Sequence, residues 1–110
     1  MISVLKSKIH RATVTECDID YEGSISIDED WLNIVEIREY EKVDVLNISN
    51  GNRFTTYAIS ADRGSKKIGI NGAAARLAKI GDLVIILSYR NIDEKETTPI
   101  PNIFLPGATK

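Results

Sequence analysis

The chain has 110 residues, of which 43% are hydrophobic and 27% charged, and its formal net charge is −2. This length suits one compact domain with a real core, and the slightly acidic balance argues against a broad basic surface for nucleic acid. No apolar run approaches the roughly 20 residues that span a bilayer, and the N-terminus lacks the apolar core of a signal peptide. We therefore expect a single domain, 1–110, in the cytoplasm, with neither nucleic acid nor membrane as partner.

Cysteine and histidine each occur once, as Cys17 and His10. A lone cysteine allows no intrachain disulfide, in keeping with a reducing compartment. A structural zinc site takes four Cys or His ligands, which this pair cannot supply, and no G-x-S-x-G elbow is present for a serine triad. Catalysis by Cys17 with His10 stays a formal alternative. We expect chemistry that uses little imidazole and no metal.

Six segments are predicted as strands, because they alternate polar and apolar residues or are rich in β-branched and aromatic ones. In chain order they are 2–16, 24–27, 42–48, 53–60, 67–70 and 83–89. Neither alternating set of the first strand is cleanly apolar, which indicates that its environment changes along its length. The last strand is a nearly unbroken apolar run and is expected to be central and buried.

Two short helices and several turns connect these strands. Acidic residues at 28–30 provide an N-cap and first turn for a helix around residues 31–35. Asn50-Gly51 is a strong hairpin signal, and 72–77 suggests one or two helical turns. The tail from about residue 91 is polar and contains all three prolines, so we expect it to be extended or partly disordered. The pattern predicts a mainly β barrel with short helices.

The dipeptide Gly23-Ser24 stands in a turn that leads directly into a strand. A serine hydroxyl can attack the carbonyl of the preceding residue and form an ester, provided that strain or polarisation activates this carbonyl. Glycine helps on the carbonyl side, since it tolerates unusual dihedral angles and leaves the carbonyl open. Elimination and hydrolysis would then cut the chain and leave a pyruvoyl group at position 24. A second dipeptide, Gly64-Ser65, shows that Gly-Ser alone is not diagnostic and is more often a simple turn.

Three other segments contain candidate site residues. Strand alternation places Lys8 and His10 on one face, and Arg53 and Tyr57 on one face of another strand. The segment that begins at Asn71, NGAAAR, puts glycine and small residues at a helix start, where backbone N–H groups are open to an anion. Each feature taken singly also has an ordinary structural explanation, such as an exposed strand face, a half-buried aromatic or a tightly packed helix start.

The segments SKIHRAT, YEGSI, NGNRFTTY and NGAAAR together resemble the pyruvoyl-dependent aspartate alpha-decarboxylase family in order and spacing. The resemblance covers nearly the whole chain and weakens after about Tyr89. It implies a double-psi β-barrel, a homotetramer with sites between subunits, and a zymogen that cuts itself into a β chain, 1–23, and an α chain, 24–110. The processed enzyme would convert L-aspartate to β-alanine and CO2 through a Schiff base to the pyruvoyl group, and would supply pantothenate and coenzyme A synthesis. Whether maturation needs a helper protein is left open.

The resemblance also assigns roles to single residues. It makes Gly23 and Ser24 the cleavage site, with Ser24 the pyruvoyl precursor, and Tyr57 the proton donor. The other matching positions are substrate contacts and supporting or processing positions. The substrate contacts are Lys8, Arg53, Ala73 and Ala74, and the supporting positions are His10, Tyr21, Thr56, Asn71 and Gly72. Alternation puts Thr56 on the face opposite Tyr57, so both reach one site only if the strand twists, bulges or lies between subunits.

The chemistry of these residues suits a dicarboxylate substrate. Arg53 can bind a carboxylate through two hydrogen bonds, and Lys8 adds a second cation. A pyruvoyl group takes up electrons as pyridoxal phosphate does, and the phenol of Tyr57 can return a proton after CO2 leaves.

Two alternative functions remain open at this point. One is a non-enzymatic β-barrel module, since related swapped-hairpin folds include DNA-binding transition regulators. Such a dimer needs a basic face, and this chain is net acidic. The other is a degenerate decarboxylase that no longer processes itself.

Overall fold

The computed structural model describes residues 1–109, which fold into eight strands, one α-helix and two short 310 helices. The strands are β1 (Ile2–Thr13), β2 (Glu16–Asp18), β3 (Ser24–Asp28), β4 (Lys42–Asn47), β5 (Arg53–Ala61), β6 (Ile68–Asn71), β7 (Leu83–Ile92) and β8 (Asn102–Phe104). The helices are α1 (Glu29–Val35) and the 310 helices Gly72–Leu77 and Pro106–Thr109. The predicted class, mainly β with short helices, is confirmed.

The strands form one sheet in the order β2-β6-β3-β5-β4-β7-β1-β8, with both parallel and antiparallel pairs. Strand β3 runs parallel to β5 and antiparallel to β6. Strands β1 and β2 follow each other in the chain but stand toward opposite ends of this order. Between them, the Thr15 N–H donates to the Ile68 carbonyl at 2.8 Å. This hydrogen bond links the segment between β1 and β2 to β6, so the two ends of the strand order approach each other.

Strand β1 shows why residues 2–16 lack a clean alternation. Its pairing with β7 slips at two places, one of them between His10 and Ala12, where Arg11 has a φ of 67°. A bulge moves all following side chains to the other face. Ile9 and Ala12 are consequently both fully buried, although one position is odd and the other even. The strand also ends three residues earlier than predicted, and a separate strand β2 follows.

Asp28 organises the N-terminus of α1 and the loop that contains the second Gly-Ser dipeptide. Its side chain accepts from the Asp30 N–H at 2.8 Å, which confirms the predicted N-cap. The same carboxylate accepts from the Gly64 N–H at 3.1 Å and from the Lys66 N–H at 2.8 Å. The hydroxyl of Ser65 accepts from a backbone N–H two residues later. This second Gly-Ser dipeptide is thus part of a structural turn around a buried carboxylate.

The tail from residue 91 contributes to the sheet. Strand β7 continues to Ile92, and β8 pairs in parallel with residues 7–9 of β1. The ring of Phe104 in β8 lies 5.8 Å from that of Trp31 in α1. The three residues of β8 thus find their partner on a distant strand.

The core places the start of β3 in the interior. It consists mainly of isoleucine and valine side chains contributed by most of the strands. Strands β3 and β6 are buried along their whole length. Consequently the polar residues at one end of this pair, Ser24 and Asn71, lie inside the protein.

Candidate active site

Ser24 is the first residue of β3 and is 1% exposed. Its hydroxyl donates to the Glu22 carbonyl at 3.3 Å and accepts from Nδ2 of Asn71 at 3.0 Å. Asn71 is its direct partner in the antiparallel ladder between β3 and β6. The hydroxyl is therefore folded back along the chain, beside the peptide bond that it is predicted to attack.

The Asn71 amide contacts two hydroxyls. Its nitrogen also donates to Oγ of Ser26 at 3.1 Å, so both N–H groups of the amide are committed. The side chain makes no capping hydrogen bond to the following 310 helix. Sequence reasoning did not single out Ser26, although its position two residues after Ser24 puts it on the same face of the strand.

Gly72 lies against the backbone of Gly23. It has a φ of 74°, and a Cβ atom built on it would lie 2.7 Å from Cα of Gly23 and 2.8 Å from its nitrogen. The carbonyl of Tyr21 would lie 3.2 Å away. Gly23 itself has open space at the corresponding position and is not among the glycines with positive φ. The conformational demand for glycine that we expected at position 23 therefore falls on Gly72.

Tyr57 stands beside Ser24 on the adjacent strand. Ile25 pairs with Ala58 in the parallel ladder of β3 and β5, so Ser24 and Tyr57 occupy the same level one step earlier. The Tyr57 side chain is half-buried, and its ring lies 6.3 Å from that of Tyr40. One chain thus brings the predicted proton donor to the strand next to the predicted precursor.

Thr56 points away from Tyr57, as alternation predicted. In the ladder with β4, Thr56 pairs with Val43 and Tyr57 with Lys42, in unbroken register. A bulge between the two residues, one of the ways we considered for them to reach a single site, is therefore absent from this ladder. A twisted strand or a site between subunits is left.

The cations predicted to bind substrate lie elsewhere on the same chain. Lys8 and His10 are on β1, which the strand order separates from β3 by β5, β4 and β7 on one side. Arg53 is exposed at the start of β5, four residues before Tyr57 and roughly 13 Å from it along the strand. Within residues 1–109, no described hydrogen bond or ion pair joins Lys8 or Arg53 to Ser24.

Arg53 and His10 each line a surface cleft. Arg53 lies in a small cleft with Asp44 and Thr55. Burial and the Asp44 carboxylate raise the pKa of Tyr89, and the positive charge of Arg53 opposes this shift. Within one chain, Arg53 therefore lies near the Asp44 carboxylate.

His10 lines a cleft of about 560 Å³ together with Arg11 and Lys66. Burial lowers the pKa of His10, and the neighbouring charges of Lys8 and Arg11 lower it further. Its Nδ1 is buried without a hydrogen-bond partner in the described part of the chain. His10 is therefore neutral at pH 7 and adds no charge to this region.

The remaining predicted residues surround the glycine contact. Ala73 is exposed and Ala74 half-buried at the start of the 310 helix. Tyr21 is 55% exposed, and only its carbonyl approaches Gly72. Tyr21 is close to the Gly23-Ser24 peptide in the sequence. Ala73 and Ala74 are close to it because they follow Gly72, which lies against Gly23.

Residues 1–109 contain no group of three or more His, Cys, Asp or Glu side chains that could hold a metal ion. No helix in the same range is long and apolar enough to cross a membrane.

The chain is similar to known proteins over nearly its whole length. The family model described as aspartate decarboxylase matches residues 1–108. The chain belongs to the aspartate decarboxylase family. The resemblance seen in the four motifs is therefore confirmed, and the match favours an enzyme over a non-enzymatic barrel module. The mixed sheet with short helices agrees with the mainly β fold predicted for this family, and the double-psi connection of its strands stays a prediction.

Several similar proteins are named aspartate 1-decarboxylase. The protein from Maricaulis maris is 58% identical over 86% of this chain and 78% of its own length. Those from Caulobacter vibrioides and Ralstonia pickettii are 59% and 51% identical, over 87% and 96% of this chain and 81% and 88% of theirs. Among solved structures, the computationally designed protein msDPBB_sym2 is more distant, with a TM-score of 0.49 and 19% identity over 79% of this chain and 99% of that one.

Proposed function

We propose that the processed chain removes the α-carboxylate of L-aspartate, giving β-alanine and CO2, with a pyruvoyl group made from Ser24. The observation on which this rests is the buried Ser24 hydroxyl, placed between the Asn71 amide and the Glu22 carbonyl. The relatives named aspartate 1-decarboxylase support the choice of substrate. The β-alanine formed would supply pantothenate and coenzyme A synthesis, and the cytoplasmic location stays a prediction from the sequence.

Maturation begins with the Ser24 hydroxyl. Its oxygen bonds to the Gly23 carbonyl carbon, the amide bond between Gly23 and Ser24 breaks, and the hydroxyl proton moves to the freed Ser24 nitrogen. Loss of the Ser24 α-proton then breaks the bond between Cβ and Oγ, which releases Gly23 as a carboxylate and leaves a dehydroalanine. Water finally replaces the nitrogen, which leaves as ammonia, and a pyruvoyl group begins the 24–110 chain.

The residues around Ser24 fit a pyruvoyl group. Ser24 is its precursor, and Asn71 would hold the group because its amide contacts the Ser24 hydroxyl. Gly72 lies against the neighbouring Gly23. Once formed, the group supplies an electrophilic ketone and a sink for the electron pair that departing CO2 leaves.

The other residues bind the substrate and move a proton. Tyr57 stands on the neighbouring strand at the level of Ser24, from where its hydroxyl would protonate the former α-carbon of aspartate. Lys8 and Arg53 would bind the substrate carboxylates, and the backbone at Ala73 and Ala74 would add contacts. His10, Tyr21 and Thr56 are assigned to the pocket or to processing.

The assembly is part of the proposal. Lys8 lies on β1, separated from β3 by three strands on one side of the sheet order, and Arg53 lies roughly 13 Å from Tyr57 along β5. We infer from this placement that a site with both cations and the pyruvoyl group combines residues from more than one subunit. We therefore propose a homotetramer with its sites between subunits, as the resemblance implied. The cations of one subunit would face the Ser24 position of the next.

Intact-mass analysis tests the maturation. The parent chain should resolve into 1–23 and 24–110, whose masses sum to that of the precursor plus water less ammonia. The second fragment should resist Edman sequencing because it has no free amine. Ser24→Ala should stay uncut and inactive.

Ser65→Ala is the matched control, because Ser65 follows the other Gly-Ser glycine and serves only a structural turn. We expect this variant to be cut and to form β-alanine as the parent does. An uncut parent chain would instead make this protein a decarboxylase relative that has lost self-processing. Cleavage of Ser24→Ala would show that another residue is the nucleophile.

A further inference from the structure

Ser26 holds the same amide that contacts the Ser24 nucleophile. Nδ2 of Asn71 lies 3.0 Å from Oγ of Ser24 and 3.1 Å from Oγ of Ser26. All three residues are at most 7% exposed. We propose that Ser26 is a positioning residue for self-cleavage, which keeps an N–H of Asn71 directed at the Ser24 hydroxyl. This inference rests on the maturation proposed above.

The register of β3 and β6 creates this arrangement. Ser24 pairs with Asn71 and Ser26 with Gly69, so the Asn71 side chain reaches Ser26 along the diagonal of the ladder. A Cβ atom at Gly69 would lie 3.4 Å from Cβ of Ser26 and 3.7 Å from its Oγ. The absence of a side chain at Gly69 leaves this space to Ser26.

The Ser24 hydroxyl needs a donor in this position. Its own proton is directed at the Glu22 carbonyl, so it can only accept from Asn71. When Oγ bonds to the Gly23 carbonyl carbon and loses its proton, an N–H that points at it offsets the negative charge that develops there. A second hydrogen bond, to Oγ of Ser26, restrains the Asn71 side chain within reach of Oγ of Ser24.

Cleavage kinetics test the proposal. The first-order rate of appearance of 1–23 is measured by intact mass for freshly purified parent, Ser26→Ala and Ser26→Thr. Ser26→Ala should slow cleavage by about tenfold, the size of one net hydrogen bond. Ser26→Thr keeps the hydroxyl and should cleave close to the parental rate, which a purely structural loss would not predict.

Ser7→Ala is the matched control for the loss of a buried hydroxyl. Ser7 is fully buried on β1 and donates to a backbone carbonyl of α1, away from Ser24. This variant should lose thermal stability and still cleave at the parental rate. Hydroxylamine identifies the affected step, because it displaces Oγ from the Gly23 ester and yields a hydroxamate at Gly23. Ser26→Ala should reduce this trapped product as well, since fewer chains reach the ester.

A second measurement does not depend on cleavage. In the uncut Ser24→Ala background, the side-chain amide protons of Asn71 should exchange with solvent faster when Ser26 is also changed to Ala. Parental cleavage and exchange rates in the Ser26→Ala chains would overturn the role of Ser26 alone. The role of Ser26 would also be overturned if Ser26→Thr cleaved as slowly as Ser26→Ala while Ser7→Ala cleaved at the parental rate. If the parent chain stays uncut, the proposed maturation is wrong. If, in addition, Ser26→Ala leaves the exchange of the Asn71 amide protons unchanged, the positioning contact is wrong as well.

Discussion

The glycine that the backbone requires at the cleavage site is Gly72. A left-handed φ of 74° already disfavours other residues there, and a Cβ atom would lie 2.7 Å from Cα of Gly23. Real Cβ atoms do not approach backbone so closely, so the Gly23 segment would have to move. Because Ser24 follows directly, such a movement would change the angle at which its hydroxyl meets the Gly23 carbonyl.

Gly72→Ala should therefore block or greatly slow self-cleavage while the chain still folds. The matched control is Gly64→Ala, where φ is 78° and nothing lies within 4 Å of an added Cβ atom. It should cost only about 1–2 kcal/mol of folding free energy from the left-handed conformation. Intact mass and thermal unfolding measure both effects. Parental cleavage of Gly72→Ala would show that the contact with Gly23 is not needed for the attack.

Tyr57 should be needed for turnover and not for making the cofactor. Tyr57→Phe keeps the ring and its packing against Tyr40 and deletes only the hydroxyl proton. We expect normal cleavage into 1–23 and 24–110, with β-alanine formation lowered by about 10²–10⁴-fold, the usual contribution of general acid catalysis. Tyr40→Phe, on the neighbouring ring, should keep full activity. If Tyr57→Phe is well cleaved and forms β-alanine at the parental rate, another group is the proton donor.

Sequence motifs identify Ser24 and Asn71, which have distinctive chemistry. They do not identify Ser26, whose role depends on the register between two strands. Ser24 and Asn71 belong to recognisable motifs, and the structure joins them by a hydrogen bond. Ser26 has no such motif, because its role depends on Asn71 reaching diagonally across two strands that are far apart in sequence. The glycine requirement was expected at Gly23 and lies at Gly72 for the same reason, since a close backbone approach is not visible in one strand alone.

Three asparagines tie the β4–β5 hairpin to the 310 helix that follows Gly72. The side-chain amides of Asn47, Asn50 and Asn52 all donate to the Leu77 carbonyl, at 3.2, 3.1 and 3.3 Å. Asn47 also donates to the Asp82 carboxylate at 2.9 Å. The hairpin that presents Tyr57 is thereby held to the element that presents Gly72.

Asn47→Ala should destabilise this junction and make its stability less dependent on acid. The hydrogen bond from Asn47 is the main cause that lowers the pKa of Asp82, followed by the Lys79 N–H. A carboxyl with a lowered pKa stabilises the fold above its unfolded pKa, and this stabilisation is lost as pH falls through its folded pKa. Without Asn47 that folded pKa rises toward the unfolded value, so less stabilisation is present at neutral pH and less is lost on acidification.

Thermal unfolding of Asn47→Ala between pH 3 and 7 measures this change. We expect a melting temperature several degrees lower at neutral pH, with a deficit that shrinks as the pH falls below the unfolded pKa of Asp82. Asn50→Ala removes only the exposed bond to Leu77 and should show a smaller loss with the parental pH dependence. Identical pH profiles for Asn47→Ala and the parent would mean that Asn47 does not hold the Asp82 pKa down.

The elements that were predicted from sequence are those with local signals. The Asp28 cap, the hairpin and the apolar run of β7 follow from neighbouring residues, and the structure contains all three. Strands β2 and β8 have three residues each and exist because β6 and β1 pair with them. The parity change in β1 depends on bulges that only the pairing with β7 reveals. Long-range pairing is what the local pattern does not contain.

Within one chain, the proposed catalytic residues and the proposed substrate-binding cations lie on different parts of the sheet. Ser24, Asn71 and Tyr57 meet on β3, β6 and β5, whereas Lys8 lies on β1 and Arg53 at the far end of β5. The chain carries a net charge of −2, so a dicarboxylate must be attracted locally by such cations. A closed oligomer can bring the cations of one subunit to the Ser24 of another.

Subunit complementation tests this arrangement. Lys8→Ala and Ser24→Ala should each abolish most β-alanine formation, the first by losing a substrate contact and the second by making no pyruvoyl group. Co-expressed in equal amounts, the two chains should recover about one quarter of the parental activity if each site combines two subunits, because random assembly pairs an intact Ser24 with an intact Lys8 that often. Tyr57→Phe with Ser24→Ala is the matched control and should not recover, since both residues are contributed by one chain. No recovery in the Lys8 mixture, despite hybrid oligomers seen by native mass spectrometry, would place Lys8 and Ser24 in the same subunit's site.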